Sequence, residues 1–225
     1  MSATPLQRDL VDTREMKVVH SFFRRELRLA AGLVRRVPTG DTARAARIHD
    51  HLDLVARCLH EHHTVEDDLL WPLLLERLPE ELAPIVTLME AQHQRLDSLL
   101  GRITVLQPAW RDHADRETAE ELASTYDELY VALAEHLDDE EERLLPLAAR
   151  SLSQQEWDAM GARARSEQRR SEATLILGML QHDGDPEVFA SMLASAPPPV
   201  RWLLPRLARR AFRKHALAVH GSATP

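Results

Sequence analysis

Cysteine is almost absent: Cys58 is the one thiol in 225 residues. That excludes an internal disulfide and a thiolate metal cluster, and it fits a reducing compartment, so a cytoplasmic location is expected. Glycine is scarce at 7 residues and aromatics make up 4%, which disfavours a β-rich fold. Lysine occurs only at 17 and 214, a feature that reads as codon bias rather than chemistry. Apolar runs such as Leu69 to Leu75 fall far short of the ~20 residues a membrane span needs, so no span is expected. The opening MSATPLQRDL has neither a basic nor an apolar region of the kind a secretory signal carries. Nor does basic charge prevail. Lys and Arg number 28 against 36 Asp and Glu, a net charge of −8, and no nucleic-acid partner is expected.

What the chain has is helical periodicity from end to end. A first helix is expected from about Leu6 to Val37, with Met16, Val19, Phe23, Leu27 and Val34 on one face. Pro38-Thr39-Gly40 breaks it and Asp41 can cap the next. The second helix carries Ile48, Leu52, Val55, Leu59, His62, Glu66 and Leu69 along one stripe, and Pro72 ends or kinks it. The third follows Pro79 and runs to about Leu106, with Gln107 to Asp115 as a loop. The fourth runs from Arg116 to Leu145 and meets Pro146. Four long helices with short connections imply an all-α, antiparallel up-down four-helix bundle over residues 6–150.

Residues 151–225 form a C-terminal helical extension of different character. Ser153-Gln154-Gln155-Glu156 is a capping box opening a fifth helix, Asp185-Pro186-Glu187 starts a short sixth, and a last helix spans about Val200 to Val219. The extension carries 10 basic and 7 acidic side chains, while the part before it has a net charge of −11. Its basic last helix is expected to pack across the acidic bundle, or to meet a partner or a second copy in a homo-oligomer; a membrane surface or nucleic acid is the weaker reading.

The strongest signal is an internal repeat. His62-His63-Thr64-Val65-Glu66-Asp67-Asp68 and His136-Leu137-Asp138-Asp139-Glu140-Glu141-Glu142 both read His-x-x-x-Glu followed by two acids, with Pro ten residues after the histidine. Their offset is 74, and Met16-x-x-x-His20 and Met89-x-x-x-His93 repeat at 73. Each half is therefore a helix hairpin with one histidine on its first arm and His-x-x-x-Glu on its second. Residues four apart share a helix face, and His20 and His62 are equidistant from the turn near residue 41, so they lie level. The same count about residue 114 brings His93 and His136 level. Four imidazoles and two carboxylates then converge. They exceed what one tetrahedral zinc uses and suit two first-row transition metals, with Glu66 and Glu140 as bridges. Asp67, Asp68, Asp138, Asp139, Glu141 and Glu142 read as a solvated acidic face. His49, His51 and His60 read as surface or supporting residues, and His113, His182, His215 and His220 as residues of loops and tail.

These residues make the chain resemble the hemerythrin-like proteins, the HHE cation-binding domain family. The family pattern of a single His, HxxxE, a single His and HxxxE is matched by His20, His62/Glu66, His93 and His136/Glu140. The resemblance covers about residues 10–150 and implies a four-helix bundle holding a non-haem, carboxylate-bridged pair of iron ions, for which zinc or manganese can substitute. It departs from the oxygen-carrying members, which place HxxxH on the third helix; here Met89 and Asp97 stand four residues either side of His93. Glu141 occupies the five-residue spacing those members use, and His63 is an additional ligand candidate about 100° round the helix from His62. The resemblance implies activity on small molecules: hydrogen peroxide, dioxygen or nitric oxide. The four-His, two-Glu variant points to catalase-like peroxide breakdown, and the alternative is a non-enzymatic module that binds or senses oxygen, nitric oxide or iron.

Overall fold

Apolar residues at helical spacing form helices along the chain, and the computed structural model, which describes residues 10–194 and 196–225, holds no strand among them. The first half consists of α1 (Arg14–Arg35), α2 (Thr42–Val65), α3 (Trp71–Arg77), α4 (Pro79–His113), α5 (Arg116–Asp139) and α6 (Leu145–Ser151). The long helices pack in a ring: α1 touches α2 and α5, and α4 touches the same two, as in a four-helix bundle. Asp41 and Asp115 cap α2 and α5 by accepting the backbone N–H of Arg44 (2.9 Å) and Thr118 (2.8 Å). The two hairpin turns meet where the Gly40 N–H donates to the Ala114 carbonyl at 3.0 Å; Gly40 has a φ of 82°, which only glycine adopts freely.

Three expectations of the helix pattern need correction. The first helix starts at Arg14, not near Leu6. Residues 6–9 lie outside the described residues, and residues 10–13 are not helical, the Val11 N–H donating instead to the Ala149 carbonyl at 2.9 Å. The stretch from Gln107 is no loop, because α4 runs on to His113 through Pro108. A proline inside a helix costs about 3 kcal/mol. Here Gln107 and Trp110 are buried, and the Tyr126 hydroxyl donates to Gln107 Oε1, so tertiary packing outweighs that cost. Finally, Pro72 and Pro146 do not end their helices. Each is preceded by a π turn, Glu66–Leu70 and Glu140–Leu144, and helix resumes as α3 and α6. A proline ring collides with the carbonyl four residues back, and a widened turn moves that carbonyl away.

The tail folds as α7 (Gln154–Glu167), α8 (Ala173–Asp183), α9 (Pro186–Met192) and α10 (Pro198–Val219). The Ser153/Glu156 capping box and the Asp185 cap are both formed. The stretch up to Asp185 holds two helices, with a break at residues 168–172, where one was expected. α7 packs on α2, α8 on α1, and α10 chiefly on α8; the basic helix meets the bundle through its C-terminal half, where Phe212 lies under the Arg25 guanidinium (4.9 Å), His215 Nε2 lies 3.0 Å from His51 Nδ1, and Arg44 donates to the carbonyls of Ala218 and Val219. Arg201, Arg206, Arg209, Arg210, Arg213 and Lys214 are exposed. Among the described residues no helix is long and apolar enough to cross a membrane.

α8 and α10 meet at Gly178, where a Cβ would overlap the Ala208 carbonyl and lie 2.8 Å from Phe212 Cβ. Gly178→Ala should therefore destabilise the protein by about 1–3 kcal/mol in urea unfolding. Gly101→Ala, with open space around it on exposed α4, should be neutral or stabilise by about 0.5–1 kcal/mol. A second outcome concerns Glu156, whose carboxyl is held down to about 2 by Arg77 and by the Ser153 backbone and hydroxyl. A lowered folded-state value gives stability that is full above the ordinary value of 4.5 and lost as pH falls through 2. The urea midpoint deficit of Glu156→Gln at neutral pH should accordingly shrink as pH falls across that window.

Candidate metal centre

Apolar side chains of the bundle divide into two clusters. One contains Phe22, Leu59, Leu96 and Leu137 and extends towards the hairpin turns; the other contains Val65, Leu70, Met89 and Leu144. On each helix the histidines and glutamates of the repeat fall between the two. His20, Glu66, His136 and Glu140 are 0–1% exposed, and the side chains of His93 and His62 are 7% and 10% exposed.

Level pairing across each hairpin is as the turn counting requires. The ring centroids of His20 and His62 are 5.4 Å apart, and those of His93 and His136 are 4.7 Å apart. His20 Nε2 lies 3.2 Å from Glu140 Oε2, His62 Nε2 3.3 Å from Glu66 Oε1, His93 Nε2 3.9 Å from Glu66 Oε2 and His136 Nε2 3.9 Å from Glu140 Oε2. Two four-residue groups result: His20, His62, Glu66 and Glu140; and His63, Glu66, His93 and His136. Within each, one ligand atom per residue lies within 4.8 Å of every other. Glu66 belongs to both groups and Glu140 to one, so the two glutamates are not equivalent.

His63 is the member that periodicity undervalues. Neighbours on a helix point about 100° apart, which is also roughly the angle between the two helices that flank one corner of a four-helix ring. Thus His62 meets His20 of α1, while His63 stacks on His93 of α4 at 4.3 Å. The acidic residues also divide differently from expectation. Asp67 bonds His93 Nδ1 (3.0 Å) and accepts from Trp71 Nε1 (2.7 Å), and Glu141 bonds His20 Nδ1 (2.9 Å) and accepts from Arg24 (2.5 Å). Gln92 Oε1 lies 3.2 Å from His136 Nδ1, and Gln92 Nε2 donates to Asp139 at 2.8 Å. Asp67, although exposed, Asp139 and Glu141 therefore orient imidazoles, directly or through Gln92, whereas Asp68, Asp138 and Glu142 are exposed and bond none of them. Such outer partners fix which ring nitrogen is free to bind.

The donor set passes a chemical test for cations. All four carboxylate oxygens of Glu66 and Glu140, Nε2 of His20 and His62, and both nitrogens of His63 are buried without a hydrogen-bond partner. Groups left so cost about 1–3 kcal/mol each, and charged ones more. Burial pushes His62 down to about 3 and His136 to about 4, and together with His93 it takes His63 well below the ordinary imidazole value. Burial and the adjacent Glu140 push Glu66 well above the usual carboxyl range. Burial opposes ionisation of Glu140 too, but His20 holds that carboxyl down to about 2. His62, His63 and His136, held neutral, present the bare lone pairs that ligate transition metals, and a cation would take the place of the proton that burial favours on Glu66.

A cavity of about 380 Å³ opens beside the cluster at His62 and Glu66. Its walls include Val19 and Phe23 of the bundle, Met160 of α7, Ile176 of α8 and Leu204 of α10.

Helices in a ring with a buried histidine–carboxylate cluster between two apolar layers define a metal-binding helical domain. The chain matches the family model of the hemerythrin HHE cation-binding domain over residues 11–148, and a second match over residues 84–180 begins one repeat length further on. It belongs to that family. No curated protein and no solved structure matches the chain.

Glu66→Ala removes the donor common to both groups and should leave desalted protein strongly depleted of metal by elemental analysis. Glu141→Ala should weaken metal affinity by roughly 10–100-fold through loss of the His20 partner, while exposed Glu142→Ala should not change it.

Proposed function

We propose that the cluster holds two iron ions, with Glu66 between them, and that the protein acts on small oxygen species, hydrogen peroxide disproportionation being its reaction. His20, His62 and Glu140 would hold one ion and His63, His93 and His136 the other, with Glu66 common to both groups. Zinc or manganese could be held by the same donors, since imidazole and carboxylate do not choose uniquely among first-row metals. The observation that carries this reading is the sharing of one buried, unpartnered carboxylate by two groups of donors. A bound iron pair supplies the reversible two-electron change that both halves of peroxide disproportionation require.

The chain's own contribution is placement, exclusion of water and control of protons. Asp67, Gln92 and Glu141 fix three of the imidazoles. Leu59, Leu137, Leu70 and Leu144, all fully buried, shut water out from above and below. Glu141, bonded to His20 Nδ1 and to Arg24 and 19% exposed, joins the cluster to the surface and is the carboxylate placed to accept and release a proton. His62, on the cavity wall, marks the side from which a small molecule arrives.

The same cavity favours a second reading, binding of dioxygen or nitric oxide without turnover. Apolar walls lower the cost of admitting an apolar diatomic, whereas peroxide entering them gives up hydrogen bonds to water. Iron-loaded protein should release oxygen from hydrogen peroxide continuously, with the dissolved gas followed by electrode and with Glu66→Ala inactive. One stoichiometric optical change with dioxygen or nitric oxide and no sustained release would select the binding module. A protein that takes up no iron would overturn both.

A further inference from the structure

A second buried cluster lies outside the metal centre, between it and the hairpin turns. It comprises Glu26 on α1, roughly 9 Å along the helix from His20 at 1.5 Å per residue, with His51 on α2 and His220 at the end of α10. These side chains are 0%, 0% and 3% exposed. Glu26 Oε2 lies 3.2 Å from His51 Nε2 and 3.3 Å from His220 Nε2, and one ligand atom from each residue lies within 4.8 Å of the others.

The separations suit hydrogen bonds but the directions do not. Glu26 Oε2, His51 Nε2 and both nitrogens of His220 are buried without a hydrogen-bond partner. An imidazole that simply donated its proton to Glu26 would satisfy both atoms. Donors facing a common point without aligned bonds are also what the metal centre presents, at His20 Nε2, His62 Nε2 and the Glu66 and Glu140 oxygens.

The other atoms of Glu26 and His51 are already engaged. Arg25 donates to Glu26 Oε1 from Nε (3.1 Å) and Nη2 (2.6 Å), and Arg25 is itself paired with Asp183 of α8. His51 Nδ1 lies 3.0 Å from His215 Nε2. Metal-bound imidazoles characteristically pass their second N–H to such a partner, leaving Nε2 to the ion. Two imidazoles and one carboxylate, with no further oxygen donors, match zinc, iron(II) or manganese(II) with open positions for water, and not calcium or magnesium.

We infer that Glu26, His51 and His220 form a separate mononuclear site for a divalent first-row transition metal, which ties the end of α10 to the bundle. The ligands come from α1, α2 and the last helix, so the ion joins parts of the chain that are far apart in sequence. An ion bound by folded and not by unfolded chain raises stability.

The test uses the full chain, stripped with a chelator, reloaded with zinc(II) alone and desalted. Wild type should keep one zinc equivalent more than His220→Ala, by elemental analysis, and zinc should raise its melting temperature by more than it raises that of His220→Ala. His220 stands at the end of the last helix, so the variant keeps the bundle core intact; His51→Ala should show the same loss. Glu66→Ala depletes the other cluster and should leave this equivalent in place, which separates failure of the di-iron reading from failure of this one. Equal zinc content in wild type and His220→Ala would overturn the inference and leave Glu26 paired with Arg25 alone.

Discussion

Two carboxylates and five imidazoles sealed into an apolar bundle are the constraint on which the rest of the architecture turns. Among the described residues the oxygens of both carboxylates, Nε2 of His20 and His62 and both nitrogens of His63 find no partner, while Nε2 of His93 and of His136 lie 3.3 Å from one another; buried groups left unpaired oppose folding. A cation reverses that sign. It would convert a band of destabilising groups into the junction of α1, α2, α4 and α5, which supply the imidazoles, and of the two π turns that supply Glu66 and Glu140. The two apolar clusters on either side then work as a seal as well as a core, since a wet site would weaken every charge interaction inside it.

Repetition supplies the geometry. The histidines are level because the arms of each hairpin are equal in length about their turns, and the turns are held together where Gly40 meets Ala114. Each repeat then places its glutamate at the start of a π turn forced by the proline that follows. The repeat is nevertheless not a true symmetry of the site. α2 brings two adjacent histidines and α5 brings one, so Glu66 is shared while Glu140 is not. That difference gives the two groups distinct donor sets from nearly identical motifs.

The elements governed by local spacing were legible in the amino-acid sequence. These include the helical stripes, the caps at Asp41, Ser153 and Asp185, and the convergence of His20, His62, His93 and His136 with Glu66 and Glu140. What escaped depends on contacts between distant segments. Pro108 looks like a helix breaker until Trp110 and Gln107 are seen buried against the bundle. The supporting roles of Asp67, which is exposed yet bonds His93, and of Glu141, which is partly buried against His20, were missed because an acidic run gives no sign of which member reaches an imidazole. The value of His63 emerges only once α2 has two named neighbours. His51, His215 and His220 look unrelated until α10 folds back, and the residues of α8 announce no break at 168–172.

The cavity at His62 is walled on one side by the bundle and on the other by α7, α8 and α10, none of which contributes a donor to the metal centre. Chemistry and admission are thus written in different stretches of the chain. Replacing Met160, Ile176 or Leu204 reshapes the doorway while leaving every metal donor in place. On the proposed reading, substitutions confined to the tail would change which small molecule is admitted and leave the metal donors untouched.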